Sequence, residues 1–166
     1  MKHVLMPIAA ALLALNTANV FAQTESNPSQ PTNAPARQAV EGQAPSPGDL
    51  ALALETVNAF IEQLKTDARA PGYALLTPET RASESEDDWD ALINQLHDRA
   101  GERQDSRFAF ALRTDSLPQA EPGNYVVIGL NTNFATQKLT ETIILQSVDG
   151  RYMISGYHFQ DRKPAG

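Results

Sequence analysis

The stretch KLTETIILQSVDGRYMISGYHFQ, Lys138 to Gln160, decides the fold. Asp149-Gly150 separates two runs rich in aliphatic, β-branched and aromatic residues, and this dipeptide is a strong hairpin signal because both central residues of a type I′ turn need positive φ. If those two residues are the whole loop, Val148 faces Arg151 and the pairing continues in strict register. One face then holds Leu145 with Ile154, Ile143 with Gly156, Glu141 with His158, and Leu139 with Gln160. The other holds Gln146 with Met153, Ile144 with Ser155, Thr142 with Tyr157, and Thr140 with Phe159. The first face is the more aliphatic and is expected to lie under helices, with Glu141 opposite His158 at its far end.

Upstream of the hairpin, Tyr125–Phe134 and residues 106–114 carry the same period of two, the latter with Phe108, Phe110 and Leu112 expected on one buried face. Earlier still the period is helical. Ser46-Pro47-Gly48-Asp49 supplies a capping hydroxyl, a proline at the first helical position and an acid three residues after the cap. Leu50, Leu54, Val57, Ile61 and Leu64 then form one apolar stripe, and the helix is expected to reach about Ala68, short of Pro71-Gly72. Thr77-Pro78 opens a further turn or two. Ser85 with Asp88 caps a third helix bearing Trp89, Leu92, Ile93 and Leu96 on one face, closed by Gly101. Helices followed by antiparallel strands predict an α+β fold, with N-terminal helices packed on a curved four-stranded antiparallel sheet.

The chain has 166 residues, no cysteine, 13 basic against 20 acidic residues and a net charge of −7. That suits a single domain of ordinary size. The acidic balance argues against nucleic acid as a partner, since phosphate contacts need a basic surface. Without cysteine there is no disulfide, thiolate nucleophile or cysteine zinc site. Residues 1–22 read as an export signal: Lys2 and His3, an apolar run from Val4 to Leu15, then Val20-Phe21-Ala22 with cleavage expected between Ala22 and Gln23. The run is too short to span a bilayer, so no membrane span is expected after cleavage. The expected location is the periplasm or the medium. Residues 23–48, punctuated by Pro28, Pro31, Pro35, Pro45 and Pro47, read as a disordered tether; residues 49–160 as the folded domain; residues 161–166 as a tail.

Few residues carry chemistry. Glu141 and His158, if opposed, make one acid–base pair, and Tyr157 stands beside them as a hydrogen-bond donor; the plainer reading of the pair is a structural plug at the end of the core. Trp89, Tyr73 and Tyr157 are the residues that offer a ligand an aromatic surface, though Trp89 at helical spacing with Leu92 and Leu96 reads first as core. The acids Glu84, Glu86, Asp87, Asp88 and Asp90 lack the spacing of a calcium loop and suit a helix start. His97 and His158 stand in no metal-binding spacing, so neither a metal nor a cofactor is expected.

The pattern Tyr125-Val126-Val127, Phe134, Glu141-Thr142, Asp149-Gly150-Arg151-Tyr152 and Gly156-Tyr157, after a Trp89-centred helix and a Leu112 to Leu117-Pro118 connection, resembles the domain-of-unknown-function 4019 family. The resemblance covers roughly Leu50 to Gln160. It implies a small exported bacterial protein with an NTF2-like cone and a cavity at the cone's open end; the family brings no assigned activity. The family's usual tryptophans in and just beyond the first helix are replaced here by Phe60 and the Ala70–Ala74 stretch.

Three functions compete. The favoured one is a noncatalytic binding or accessory module of the cell envelope, taking an envelope protein or a small apolar ligand, with a homodimer formed through an exposed patch of Met153, Tyr157, Phe159, Ile144 and Val127. The second is an isomerase- or hydratase-type enzyme using the Glu141/His158 pair in the cone pocket. The third is a stress or immunity-type protein that blocks a partner by surface charge.

Overall fold

The computed structural model describes residues 42–162 apart from Asp67. The expected signal segment and its cleavage site, and the tether as far as residue 41, lie outside the described residues. Helix α1 spans Pro47–Gln63, a short 3-10 turn Tyr73–Leu75, α2 Pro78–Ser83 and α3 Glu86–Ala100; the strands are β1 Arg103–Thr114, β2 Tyr125–Phe134, β3 Lys138–Val148 and β4 Arg151–Asp161. The four strands form one antiparallel meander in the order β1-β2-β3-β4. The chain is therefore an α+β protein.

The helix starts follow from their caps. Ser46, Thr77 and Ser85 each accept a hydrogen bond from the backbone N–H three residues on, and a proline follows directly in α1 and α2. Gln43, just ahead of α1, exchanges two backbone hydrogen bonds with Arg113 on the free edge of β1. Helix α1 ends five residues before Ala68, where Thr66 Oγ1 donates to the carbonyl of Gln63 and competes with helical continuation. Ala53, Val57 and Phe60 of α1, Trp89, Ile93 and Leu96 of α3, and Val126, Ile128, Leu139, Ile143, Leu145 and Ile154 of the sheet form one buried core.

Asp149 and Gly150 have φ of 49° and 77°, and Val148 faces Arg151 as the turn requires. Strict register holds only to Leu145 opposite Ile154. Ile144 then faces Gly156, which leaves Ser155 as the extra residue of a β-bulge. Thr77 N–H donates to the carbonyl of Ile154 at 2.8 Å and Thr80 Oγ1 to that of Ser155 at 3.4 Å, so the cap of α2 is fastened to the bulge. Beyond it every residue of β4 changes face. Glu141 is paired with Phe159 and Thr142 with His158, which replaces the expected Glu141–His158 pairing.

A bulge at Ala109 does the same to β1. Phe108 faces Leu130 while Phe110 faces Gly129, so the two rings lie on opposite sides of the sheet instead of sharing one buried face. Phe110 packs where a Cβ on Gly129 would stand, 2.1 Å from its ring, which is why that position has no side chain. The expected exposed patch is likewise dismantled. Tyr157 is buried, Phe159 packs against its ring, and Val127 and Ile144 are themselves buried.

Asp49 ties α1 to β4: its Oδ1 accepts from Tyr152 OH at 2.9 Å and its Oδ2 from Ser46 Oγ at 2.7 Å. The bonds from Ser46 and Tyr152 hold its carboxyl below the usual carboxylate range. A depressed folded pKa stabilises the fold above the unfolded value, and that contribution is lost as pH falls through the folded one. Asp49→Asn is expected to lower the midpoint of thermal unfolding at pH 7, with the gap to the unaltered chain closing as pH drops below about 4; unfolding curves across pH check it.

Candidate functional site

The structure brings Glu141 and Tyr157 together and sends His158 away. Glu141 lies at an inward position of β3 between Leu139 and Ile143 with no solvent exposure. A carboxylate there costs several kcal/mol unless charge and hydrogen bonds meet it. Arg103, the first residue of β1, meets it end-on: Nη1 donates to Oε2 at 2.7 Å and Nη2 to Oε1 at 2.5 Å. Thr132 of β2 donates to Oε2, and Tyr157, turned inward by the Ser155 bulge, donates to Oε1. Four donors fill the four lone-pair positions of the carboxylate. Ser106 completes the cluster, accepting from Arg103 Nη1 at 2.7 Å and lying 3.0 Å from Thr132 Oγ1.

Each partner is fixed by its surroundings. The Arg103 side chain is only 5% exposed and its guanidinium lies over the Phe134 ring, 5.1 Å from the centroid. Burial works against its charge, yet the bonds and field of Glu141 outweigh burial and hold the pKa above the ordinary arginine value. Burial, and then the Glu141 carboxylate, push the Tyr157 phenol well above its usual range, so its hydroxyl stays a donor. The Tyr157 ring is gripped edge-on by Phe60, at 5.1 Å and 83°, and lies 6.3 Å from Trp89.

The expected ligand-facing aromatics are otherwise engaged. Trp89 is 2% exposed and its indole N–H donates to the carbonyl of Pro71 at 2.9 Å, which makes it core. Tyr73 OH reaches the carbonyl of Glu84 at 3.0 Å and closes the end of α2. His158 is exposed on the opposite side of the sheet from Glu141. Arg103, Thr132 and Ser106 were not among the residues singled out by sequence. The available signal was Glu141 itself, since an acid flanked by inward aliphatic residues needs a buried cation.

Beside this cluster lies a half-open cavity of about 530 Å³, a size suited to a small molecule. Its wall comes from Leu64 and Lys65 in the turn after α1, His97 and Asp98 in the last turn of α3, and residues 101–103 leading into β1. Arg103 thus belongs to both the buried network and the cavity. Its Nε–H is buried and has no partner among the described residues. No group of acids, histidines or cysteines suited to a metal ion occurs among the described residues.

An α+β domain with a fully bonded buried carboxylate and an adjoining polar cavity is the class of protein that this geometry defines. The family model described as protein of unknown function (DUF4019) matches residues 58–157, and the chain belongs to that family. The match runs from α1 to Tyr157 and so includes Arg103, Thr132 and Glu141. No curated protein and no solved structure matches the chain.

Glu141→Gln leaves Arg103 buried without its counter-charge and is expected to cost about 3–5 kcal/mol of stability. Tyr157→Phe, which removes one donor, should cost about 1–3 kcal/mol. His158→Ala should stay within about 0.5 kcal/mol. Denaturant unfolding of the three variants checks the ranking.

Proposed function

We propose that this chain is an exported, noncatalytic binding module of the cell envelope, built on an NTF2-like cone whose open end is the cavity at Arg103. One observation carries the reading: a roomy cavity stands against a carboxylate whose lone pairs are all taken. A general base must hold an acceptor free for the proton it removes, and Glu141 holds none. That removes Glu141 as a general base and supports recognition as the chemistry of the site. The polar and charged wall favours a ligand with hydrogen-bonding groups over the small apolar ligand that the sequence alone suggested. Export is supported by the basic start, apolar run and small-residue cleavage pattern of residues 1–22. No helix among the described residues is long and apolar enough to cross a membrane.

Expression of the full chain in a Gram-negative host should yield a periplasmic protein whose first residue is Gln23. A chain retained in the cytoplasm with residues 1–22 attached overturns the export reading. Native mass spectrometry of the periplasmic protein should show a small molecule held non-covalently, and a bare chain mass under gentle conditions counts against the binding reading.

A further inference from the structure

Strand β1 lies at one end of the sheet, and among the described residues only Gln43 pairs with its outer edge. Gln43 and Arg113 exchange backbone hydrogen bonds of 2.9 and 2.6 Å, so that edge accepts an antiparallel strand. Pro45 and Pro47 lack the N–H that would continue the pairing, and the chain enters α1 at Pro47. Residues 104–109 of β1 are exposed, including Phe108, which is 54% exposed although its cross-strand neighbour Leu130 belongs to the core. An edge of this kind is a template for another strand. The irregularities at Gln104 and Ala109 interrupt it on both sides and leave residues 105–108 as its regular part.

Side-chain facing decides which strand fits. Asp105 accepts from Asn133 Nδ2 at 2.9 Å on one face, while Ser106 lies against Thr132 on the core face, so Asp105 and Arg107 share the outer face. Both are exposed, and the Arg107 side chain has no hydrogen bond or salt bridge among the described residues. Two copies joined edge to edge in one antiparallel sheet keep their faces aligned across a twofold axis, so the axis lies between one residue and its own copy. In the regular segment that residue is Ser106 or Arg107. An axis at Arg107 sets two guanidinium groups against each other. An axis at Ser106 sets each Asp105 opposite Arg107 of the other copy, Cβ atoms about 5 Å apart, and both pairs are then opposite in charge. We infer that β1 pairs with β1 of a second copy, antiparallel and centred on Ser106, so that two four-stranded sheets become one. In this register Arg113 of one copy falls beyond Arg103, the first residue of the other's β1, so Gln43 keeps its place on the edge. Pairing over so few residues makes a weak, concentration-dependent dimer. This dimer needs nothing from the cavity and is independent of the binding reading.

Two charge reversals at exposed positions test the pairing. Arg107→Glu sets an acid opposite Asp105 of the other copy, and Asp105→Lys sets a base opposite Arg107. Sedimentation velocity between about 10 µM and 1 mM protein is expected to show the unaltered chain shifting toward a dimer, and each variant alone dimerising at least about tenfold more weakly. An equimolar mixture of the two variants again faces acid with base at both positions and should regain the dimer. Thermal unfolding of each variant should match that of the unaltered chain. Mixed labelled and unlabelled copies of the unaltered chain read the register with no substitution, through intermolecular NOE contacts expected between Asp105 and Arg107. A monomer throughout the concentration range, a dimer that either reversal leaves unchanged, folded variants whose mixture stays monomeric, or intermolecular contacts that leave out β1 would each overturn the inference.

Discussion

A carboxylate with no access to solvent sits at the middle of this sheet, and the arrangement around it follows from that. Glu141 draws a donor from each of the other three strands: Arg103 from the start of β1, Thr132 from β2 and Tyr157 from β4. An ion pair buried this deeply contributes little net stability, because desolvation cancels most of the attraction, but breaking it strands a charge. Its effect is one of specification. The network fixes where β1 begins, which side of β4 faces inward, and which end of the sheet remains polar.

Two bulges, at Ser155 and Ala109, together with an extra residue at Gln104, make that network possible. Ser155 shifts β4 by one residue, so Tyr157 points into the core and His158 out of it. The carbonyls around the bulge are bonded by Thr77 and Thr80, so the short helix α2 holds in place the irregularity that delivers the Tyr157 hydroxyl. The bulge at Ala109 turns Phe108 and Phe110 to opposite sides of β1 and leaves Phe108 54% exposed at the sheet's edge. Both bulges interrupt edge strands, where an extra residue disturbs only one ladder and also blunts edge-to-edge association.

Element positions were legible in the sequence because each is written in local chemistry. The Ser46, Thr77 and Ser85 caps, the Asp149-Gly150 turn, the strands Tyr125–Phe134 and Lys138–Val148, and the α+β class with its family all stand as read. Facing was legible only as far as the first bulge. Strict alternation places Glu141 against His158, Tyr157 outside and Phe108 beside Phe110, and one inserted residue per strand reverses each of these. No dipeptide announces the bulge at Ser155. It is set by α2 docking on β4, a contact between residues about 75 positions apart. Arg103 escaped notice for a related reason: it lies at the start of β1, and a further extra residue, Gln104, separates it from the regular alternation.

The site therefore rests on Tyr157 facing inward across from Glu141, and inter-proton contacts in solution read that directly. A NOESY spectrum of the ¹³C,¹⁵N-labelled protein is predicted to place Phe159 opposite Glu141 across the β3–β4 ladder, with the Tyr157 ring against Phe60 and Trp89. Cross-strand contacts joining Glu141 to His158, with the Tyr157 ring free of Phe60 and Trp89, would contradict the account.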